Sequence, residues 1–377
     1  MNKELTQTPL YYIAYNKEKF FKSTEILKNA INEIPEPTMH VSRACGFRMR
    51  AEFMFKIINF KPCFLMTTLS QNNKKTTHNV ELFKLGHPNI THAIKLLKQY
   101  LPLYGNIIHK LFSVEFLTST KNDIVVTFIY HKVLDKDWEQ SANELQKVLN
   151  SVNNYDLSFN LIGRAHNQKF VLKDDFVTED FIVNNKTYTM RHMDSSFSQP
   201  NWYMNEKMLN WAVNATKNFG DDLLELYCGN GNFSIPLSQN FNNVLATALT
   251  STSVNAAQVN LKVNNIKNTK IIRLSAEEFT QAMQKTRDFK RLINTDTNLD
   301  DYKISTVLVD PPRAGLDLET LKLISQFENI IYISCGIDSL AENLKNLTKT
   351  HKLVQLDFFD QFPFTDHIET GCILKKI

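Results

Sequence analysis

The chain has 377 residues, 43% hydrophobic and 22% charged, with a net charge of +4. Such a length predicts about two globular domains, and without an apolar run near the ~20 residues of a membrane span the composition excludes a transmembrane protein. Residues 1–10 are polar and lack the apolar core of a signal peptide, so a cytoplasmic address is expected.

The five cysteines, Cys45, Cys63, Cys228, Cys335 and Cys372, form no Cys-x-x-Cys pair. They are too scattered for a zinc or iron–sulfur framework, so no metal is expected. An odd count in a cytosolic chain favours free thiols, one of which is available as a nucleophile. The charge is unevenly placed: residues 1–190 hold 24 Lys+Arg against 18 Asp+Glu, or +6, and the remainder 19 against 21, or −2. A basic front half fits contact with nucleic-acid phosphates, and equally an ordinary solvated surface.

Taken in chain order, residues 18–34 show helical spacing ended by Pro35 and Pro37. Residues 47–57 alternate, with Phe47, Met49, Ala51, Phe53, Phe55 and Ile57 on one face and mainly Arg48, Arg50, Glu52 and Lys56 on the other. That pattern predicts a half-buried strand. A helix is expected over 90–100, a hairpin over 111–118 and 124–131 turning at Lys121-Asn122-Asp123, and a helix over 138–152. Strands follow over 159–162, 170–172 and 181–190. This half reads as an α+β domain with an antiparallel sheet, bounded at residue 188.

From residue 189 the grammar changes. Short apolar strands over 223–227, 244–247, 271–274, 306–309 and 330–333 alternate with helices such as 251–264 and 318–327. Such alternation predicts βαβ units, a doubly wound Rossmann-like α/β domain, and ligands at the carboxyl ends of its strands.

Those strand ends carry the chemistry. The first ends in Glu225-Leu226-Tyr227-Cys228-Gly229-Asn230-Gly231-Asn232, where a Gly-x-Gly turn lets the backbone approach a nucleotide closely. Ser234 replaces the third glycine of the dinucleotide pattern, and Glu225 inside the strand leans toward S-adenosylmethionine (SAM) rather than NAD. Cys228 reads as a packing residue. The fourth strand ends in Asp310-Pro311-Pro312-Arg313, whose prolines stop the strand and throw the chain across the site mouth. Arg313 stands where amino-group methyltransferases place an aromatic, which argues against adenine-N6 chemistry. The fifth ends in Ser334-Cys335. A thiolate there can attack carbon 6 of uracil and make carbon 5 nucleophilic, and Glu369 is available to remove the carbon-5 proton afterwards.

Together these segments resemble the tRNA uracil-5-methyltransferase family. The resemblance takes in Arg48-Met49-Arg50-Ala51-Glu52-Phe53, His109-Lys110-Leu111-Phe112, Leu161-Ile162-Gly163-Arg164 and Phe197-Ser198-Gln199-Pro200-Asn201. It continues through Ala276-Glu277-Glu278-Phe279-Thr280-Gln281 and Phe359-Asp360-Gln361-Phe362-Pro363, from about residue 40 to the C-terminus. It implies Cys335 as nucleophile and Glu369 as proton acceptor, with SAM as methyl donor. Gln199, Tyr227, Gly229, Asn232 and Asp310 would lie at the SAM and uracil sites. Arg48, Arg50 and Phe112 would contact RNA, their alternative being a charged strand face and a core Phe. The implied partner is tRNA, methylated in its T-loop by a monomeric enzyme, after the target base leaves its stack. The chain lacks the four-cysteine site and small β-barrel frequent among the ribosomal-RNA relatives, and Ser334 rather than Pro precedes the cysteine, unlike cytosine enzymes.

Two departures stand out. Ala248 occupies the acidic position that holds the SAM ribose in this family, and Ser334-Cys335-Gly336-Ile337 replaces Ser-Cys-Asn-Pro. The second is expected to free the backbone after the nucleophile. Together they leave a second reading open: a tRNA-binding, tRNA-remodelling protein without methyl transfer.

Overall fold

A computed structural model describes residues 9–69, 75–153 and 155–377. The expectation for residues 1–10 therefore falls mostly outside the described residues. Within them, no helix is long and apolar enough to cross a membrane.

The chain opens with a helix, Pro9–Ala30, and a short strand, β1 (Thr38–His40). It then builds a seven-stranded sheet from β2 (Arg50–Ile58), β3 (Lys61–Leu69), β4 (Lys75–Asn79), β5 (Leu111–Thr118), β6 (Asp123–Tyr130), β7 (Ser158–Ala165) and β8 (Gln168–Val171). The order is β4-β3-β2-β5-β6-β7-β8, and every neighbour is antiparallel except β6 and β7. Helices Pro88–Tyr100 and Lys136–Val152 cover one face through Ile90, Ile94, Leu97, Trp138, Leu145 and Leu149. Gly163 is required beneath this layer, because a Cβ there would lie 2.4 Å from the Trp138 ring.

A hairpin, β9 (Phe176–Val183) and β10 (Lys186–Met193), follows. The single strand expected over 181–190 is thus two strands. Asn184 and Asn185 both adopt positive φ (49° and 63°), the mirror-image turn that Asn tolerates and that reverses the chain.

The second sheet contains β11 (Asp222–Leu226), β12 (Val244–Ala248), β13 (Thr269–Arg273), β14 (Ile304–Val309), β15 (Asn329–Ser334), β16 (His351–Phe359) and β17 (Glu369–Lys376). Its order is β1-β16-β17-β15-β14-β11-β12-β13. Strands β11 to β15 are parallel, as expected, and β17 enters antiparallel between β15 and β16. One face is covered by Phe20 and Leu27 of the first helix and Ile31 just after it, with Phe279, Leu321, Leu340 and Leu344. The other is covered by the β9–β10 hairpin and helices Trp202–Ala215 and Ser251–Val263.

The two cores therefore do not follow a division at residue 188. The first helix and β1, which pairs with β16, belong to the second core, as do Phe181, Val183, Tyr188 and Met190. Polar spacing of the first helix gave no hint of this partner, which lies more than 300 residues away. The Ala276–Met283 segment has a local explanation: Ser275 and Glu278 form a reciprocal capping box, and Phe279 is fully buried.

Candidate active site

The chain adds strands on one side of β11 as far as β13 and then crosses back to β14 on the other side. The topological switch point thus lies between the carboxyl ends of β11 and β14, where Tyr227 and Asp310 follow their strands. Open sheets of this kind receive their ligands in such a crevice.

The turn above β11 is built for close approach. Tyr227, Gly229 and Gly231 have φ of +66°, +56° and +84°. A tyrosine in this region is strained, and its side chain faces Thr320 and Asp317. A Cβ at Gly229 would meet nothing within 4 Å, so the space over the turn is open. Asn232 and Asn205 exchange two side-chain hydrogen bonds of 2.9 Å. Cys228 is buried in the core, as expected of a packing residue.

Cys335 follows β15 directly. Ser334 pairs with Thr370, so the antiparallel register sets Cys335 opposite Glu369, the first residue of β17. Cys335 is half-buried, whereas Cys228, Cys372 and Cys63 are buried and Cys45 is exposed. Burial, then the Glu369 and Asp310 charges, push the Cys335 thiol up to about 11, with Arg313 opposing them. Burial raises Asp310 to about 7. Burial and then Asp310 push Glu369 well above the usual carboxylate range. Glu225 is raised to about 8 by burial despite the hydrogen bond donated by Ser234. Glu225 and Glu369 are buried and Asp310 half-buried, and a cationic guest beside them would favour their charged forms.

Beside Cys335 lies a cavity of about 670 Å³ whose lining includes Lys19, Lys22, Arg313, Gly336, Asp366 and His367. One wall is the first helix, which sequence reading placed elsewhere. Lys19 pairs with Asp360 at 2.7 Å, both fully buried, and Tyr12 donates to the same carboxylate. The neighbouring Gln361 donates to Gln199 at 2.6 Å, and the Asn201 side chain caps helix Trp202–Ala215 while donating to Ser42. Gln199 is thereby tied to the site, whereas Lys19, Asp360 and Gln361 were missed as members of it. The Phe359-to-Pro363 motif was the available signal.

The backbone after Cys335 is fastened rather than freed, contrary to expectation. Gly336 N donates to Ser334 Oγ at 3.2 Å, and Ser339 Oγ donates to the Arg313 carbonyl at 2.8 Å. A Cβ at Gly336 would stand 2.6 Å from that carbonyl. Glycine lets this loop dock on the Asp310–Arg313 turn.

Of the residues expected to meet RNA, Arg50 is a clip between the two cores. Its guanidinium donates to the carbonyls of Met193, Asp194 and Ser196. Arg48 is exposed, with its Nε donating to the Arg50 carbonyl. Phe112 is no core residue: it is 45% exposed and its ring lies 4.4 Å from that of His131. His131 was not singled out by sequence reading.

The residues present fit SAM in all but one respect. The open glycine turn and the buried carboxyls match a nucleoside bearing a cation, and the buried Thr247 hydroxyl, beside Ala248, has no partner. The ribose carboxylate is missing. Among the described residues no group of His, Cys, Asp and Glu is arranged to hold a metal ion.

This fold and site define a SAM-dependent methyltransferase. The fold resembles that of the Pyrococcus abyssi tRNA (uracil-54, C5)-methyltransferase in complex with S-adenosyl-L-homocysteine, with a TM-score of 0.68 at 18% identity over 95% of this chain and 83% of that one. Residues 14–377 match the tRNA (Uracil-5-)-methyltransferase family model. The tRNA/tmRNA (uracil-C(5))-methyltransferase of Saccharophagus degradans is 45% identical over 96% of this chain and 95% of its own length. That of Histophilus somni is 44% identical over 97% of both. The chain belongs to the tRNA (uracil-5-)-methyltransferase family.

Proposed function

We propose that this enzyme methylates carbon 5 of a uridine in the T-loop of tRNA through a covalent adduct between Cys335 and carbon 6 of the base. The observation that carries this reading is that Cys335, which lines the cavity, stands one register step beyond the Ser334–Thr370 pair and feels the charge of Glu369.

The Cys335 thiol first loses its proton to solvent, the neighbouring Arg313 guanidinium favouring the thiolate, and the thiolate is recovered when the sulfur departs at the end of the cycle. Its sulfur then bonds to carbon 6, and the carbon 5–carbon 6 π electrons move toward oxygen 4, leaving carbon 5 electron-rich. SAM, when bound, supplies an electrophilic methyl group. Glu369 as carboxylate accepts the carbon-5 proton, the double bond re-forms, and the sulfur departs with its electron pair. Gly229, Gly231 and Asn232 would border the donor's nucleoside, and Asp310 its charged end. Gln199, held by Gln361, would orient the base.

The seven-stranded sheet serves as the RNA-docking unit in this reading, with Phe112 and His131 as a stacking surface and Arg48 near the phosphates. In this reading the enzyme acts as a monomer. Ala248 favours a second reading, tRNA remodelling without methyl transfer.

Transfer of labelled methyl from SAM to unmodified tRNA, with the product base identified, tests the proposal. Wild type should make 5-methyluridine and Cys335→Ala none, while tRNA affinity is kept. Full turnover by Cys335→Ala would sink the covalent mechanism, and a silent wild type that still binds tRNA would favour remodelling.

A further inference from the structure

Phe60 is the most exposed large hydrophobic residue described, at 99% of its accessible surface. It sits with Asn59 at the turn between β2 and β3, closed by the Ile58–Lys61 pair. Both turn residues have positive φ, 49° at Asn59 and 60° at Phe60. A two-residue turn of this hand accepts Asn at its first position and prefers glycine at its second. A phenylalanine there crowds its own Cβ against the backbone, and its ring recovers nothing by burial. Neither folding nor solubility accounts for an aromatic at this position.

The surroundings favour a polyanion. Lys56 and Lys61 flank the turn, no acidic residue occurs between them, and Ile57 and Ile58 are also exposed. The turn stands at the end of β2 opposite Arg50, roughly 26 Å away at the usual strand rise. Phe112 lies between the two, about level with Phe55, because β5 runs antiparallel with Met54 opposite Ser113 and Arg50 opposite Leu117. The seam clip, the Phe112–His131 pair and the Phe60 turn therefore lie in sequence along one sheet.

We propose that the Asn59–Phe60 turn is a second RNA contact, in which Phe60 stacks on an unpaired base outside the T-arm while Lys56 and Lys61 meet adjoining phosphates. A base presents a π-face to a single ring, and flanking cations suit its backbone. The inference rests on the reading of the chain as a tRNA-modifying enzyme and extends it to how substrates are told apart: whole tRNA is gripped at two places, an isolated arm at one.

The test compares wild type, Phe60→Gly and Phe60→Trp in equilibrium binding to full-length unmodified tRNA and to an isolated T-arm hairpin. Glycine suits the turn, so Phe60→Gly should fold with an unchanged or higher Tm. It should bind full-length tRNA roughly tenfold more weakly, the loss expected for one stacked base, and bind the hairpin as wild type does. Phe60→Trp should restore the affinity. Unchanged affinity of Phe60→Gly for full-length tRNA overturns the proposal, as does an equal loss on the hairpin. Loss of binding to vesicles of mixed neutral and anionic phospholipid, with tRNA affinity intact, overturns it in favour of a membrane surface. If wild type binds no tRNA, the functional reading fails and this inference with it; if wild type methylates tRNA and Phe60→Gly binds it equally well, only the inference fails.

Discussion

Lys19 of the first helix and Asp360, just beyond β16, form a 2.7 Å ion pair with both side chains withdrawn from solvent. The same carboxylate accepts from Tyr12, and Lys19 also donates to the Phe362 carbonyl at 3.2 Å. This cluster fastens a helix from the start of the chain over the strand ends that bear Cys335 and Glu369. It costs desolvation on both partners, but breaking it from one side leaves a buried charge alone.

Lys19→Met should therefore lower the unfolding free energy by about 3–5 kcal/mol. Lys22, one turn on and exposed in its pair with Glu18, should be nearly silent for stability when replaced by Met. Denaturant unfolding of the two variants checks this. Equal effects would mean that the Lys19 pair holds nothing.

Cys335 carries the pH dependence. Its thiol is raised to about 11, so the thiolate is a small minority at neutral pH. The thiolate fraction rises as pH rises, so alkylation of Cys335 by iodoacetamide in the free enzyme should increase about tenfold per pH unit from pH 7 to 9, without a plateau. Arg313→Met removes the cation that opposes the shift and should slow alkylation at every pH in that window. The measurement is peptide mass spectrometry in a Cys45→Ser background, because Cys45 is the other accessible thiol. A plateau near pH 8 would contradict the buried, carboxylate-flanked setting.

The parallel strands were legible in the sequence because each is a short apolar run between helical patterns, and strand ends in such a sheet are where ligands bind. Cys335 and Asp310 could be singled out from that rule, whereas Tyr227 came only with the family resemblance. Glu369 became specific only through the family resemblance, since its pairing opposite Cys335 depends on β17 entering antiparallel, which no local pattern announced. The first helix was recognised as a helix but assigned to the wrong core: its partners Phe358 and Asp360 are long-range contacts without a periodic signature. For Arg50 the family resemblance implied an RNA contact, and alternation tells which face a residue takes, not which carbonyls will come to meet it.

Gly336 offers a test of how the nucleophile is placed. Any side chain there meets the Arg313 carbonyl and Ser339 Oγ, so Gly336→Ala must displace the loop that follows Cys335. A shift of about 1 Å at a reacting group costs on the order of a hundredfold in rate. Gly336→Ala should lose that much in kcat with little change in tRNA affinity, and Gly336→Asn, the family's usual residue, should do no better alone. Single-turnover methylation measures both. Wild-type kcat in Gly336→Asn would show that the glycine is a neutral replacement.

Ala248 is the departure most easily reversed. It ends β12, is buried, and precedes Leu249, whose carbonyl accepts from Arg273 Nε at 3.3 Å. A glutamate at this position would offer two acceptors to vicinal ribose hydroxyls, the role the family resemblance implies for the acidic residue here. Hydrogen bonds to a charged acceptor contribute about 1.5–3 kcal/mol each, which corresponds to at least tenfold in affinity. Arg273 nearby would offset part of the cost of bringing a carboxylate into this region. Ala248→Glu should therefore lower the Kd for SAM at least tenfold and that for S-adenosyl-L-homocysteine by the same factor, because the ribose is common to both. Isothermal titration in the absence of tRNA separates this from any effect on RNA. Equal Kd values in wild type and Ala248→Glu would mean that this chain already anchors the ribose elsewhere, with the unpartnered Thr247 hydroxyl the first group to remove by Thr247→Val.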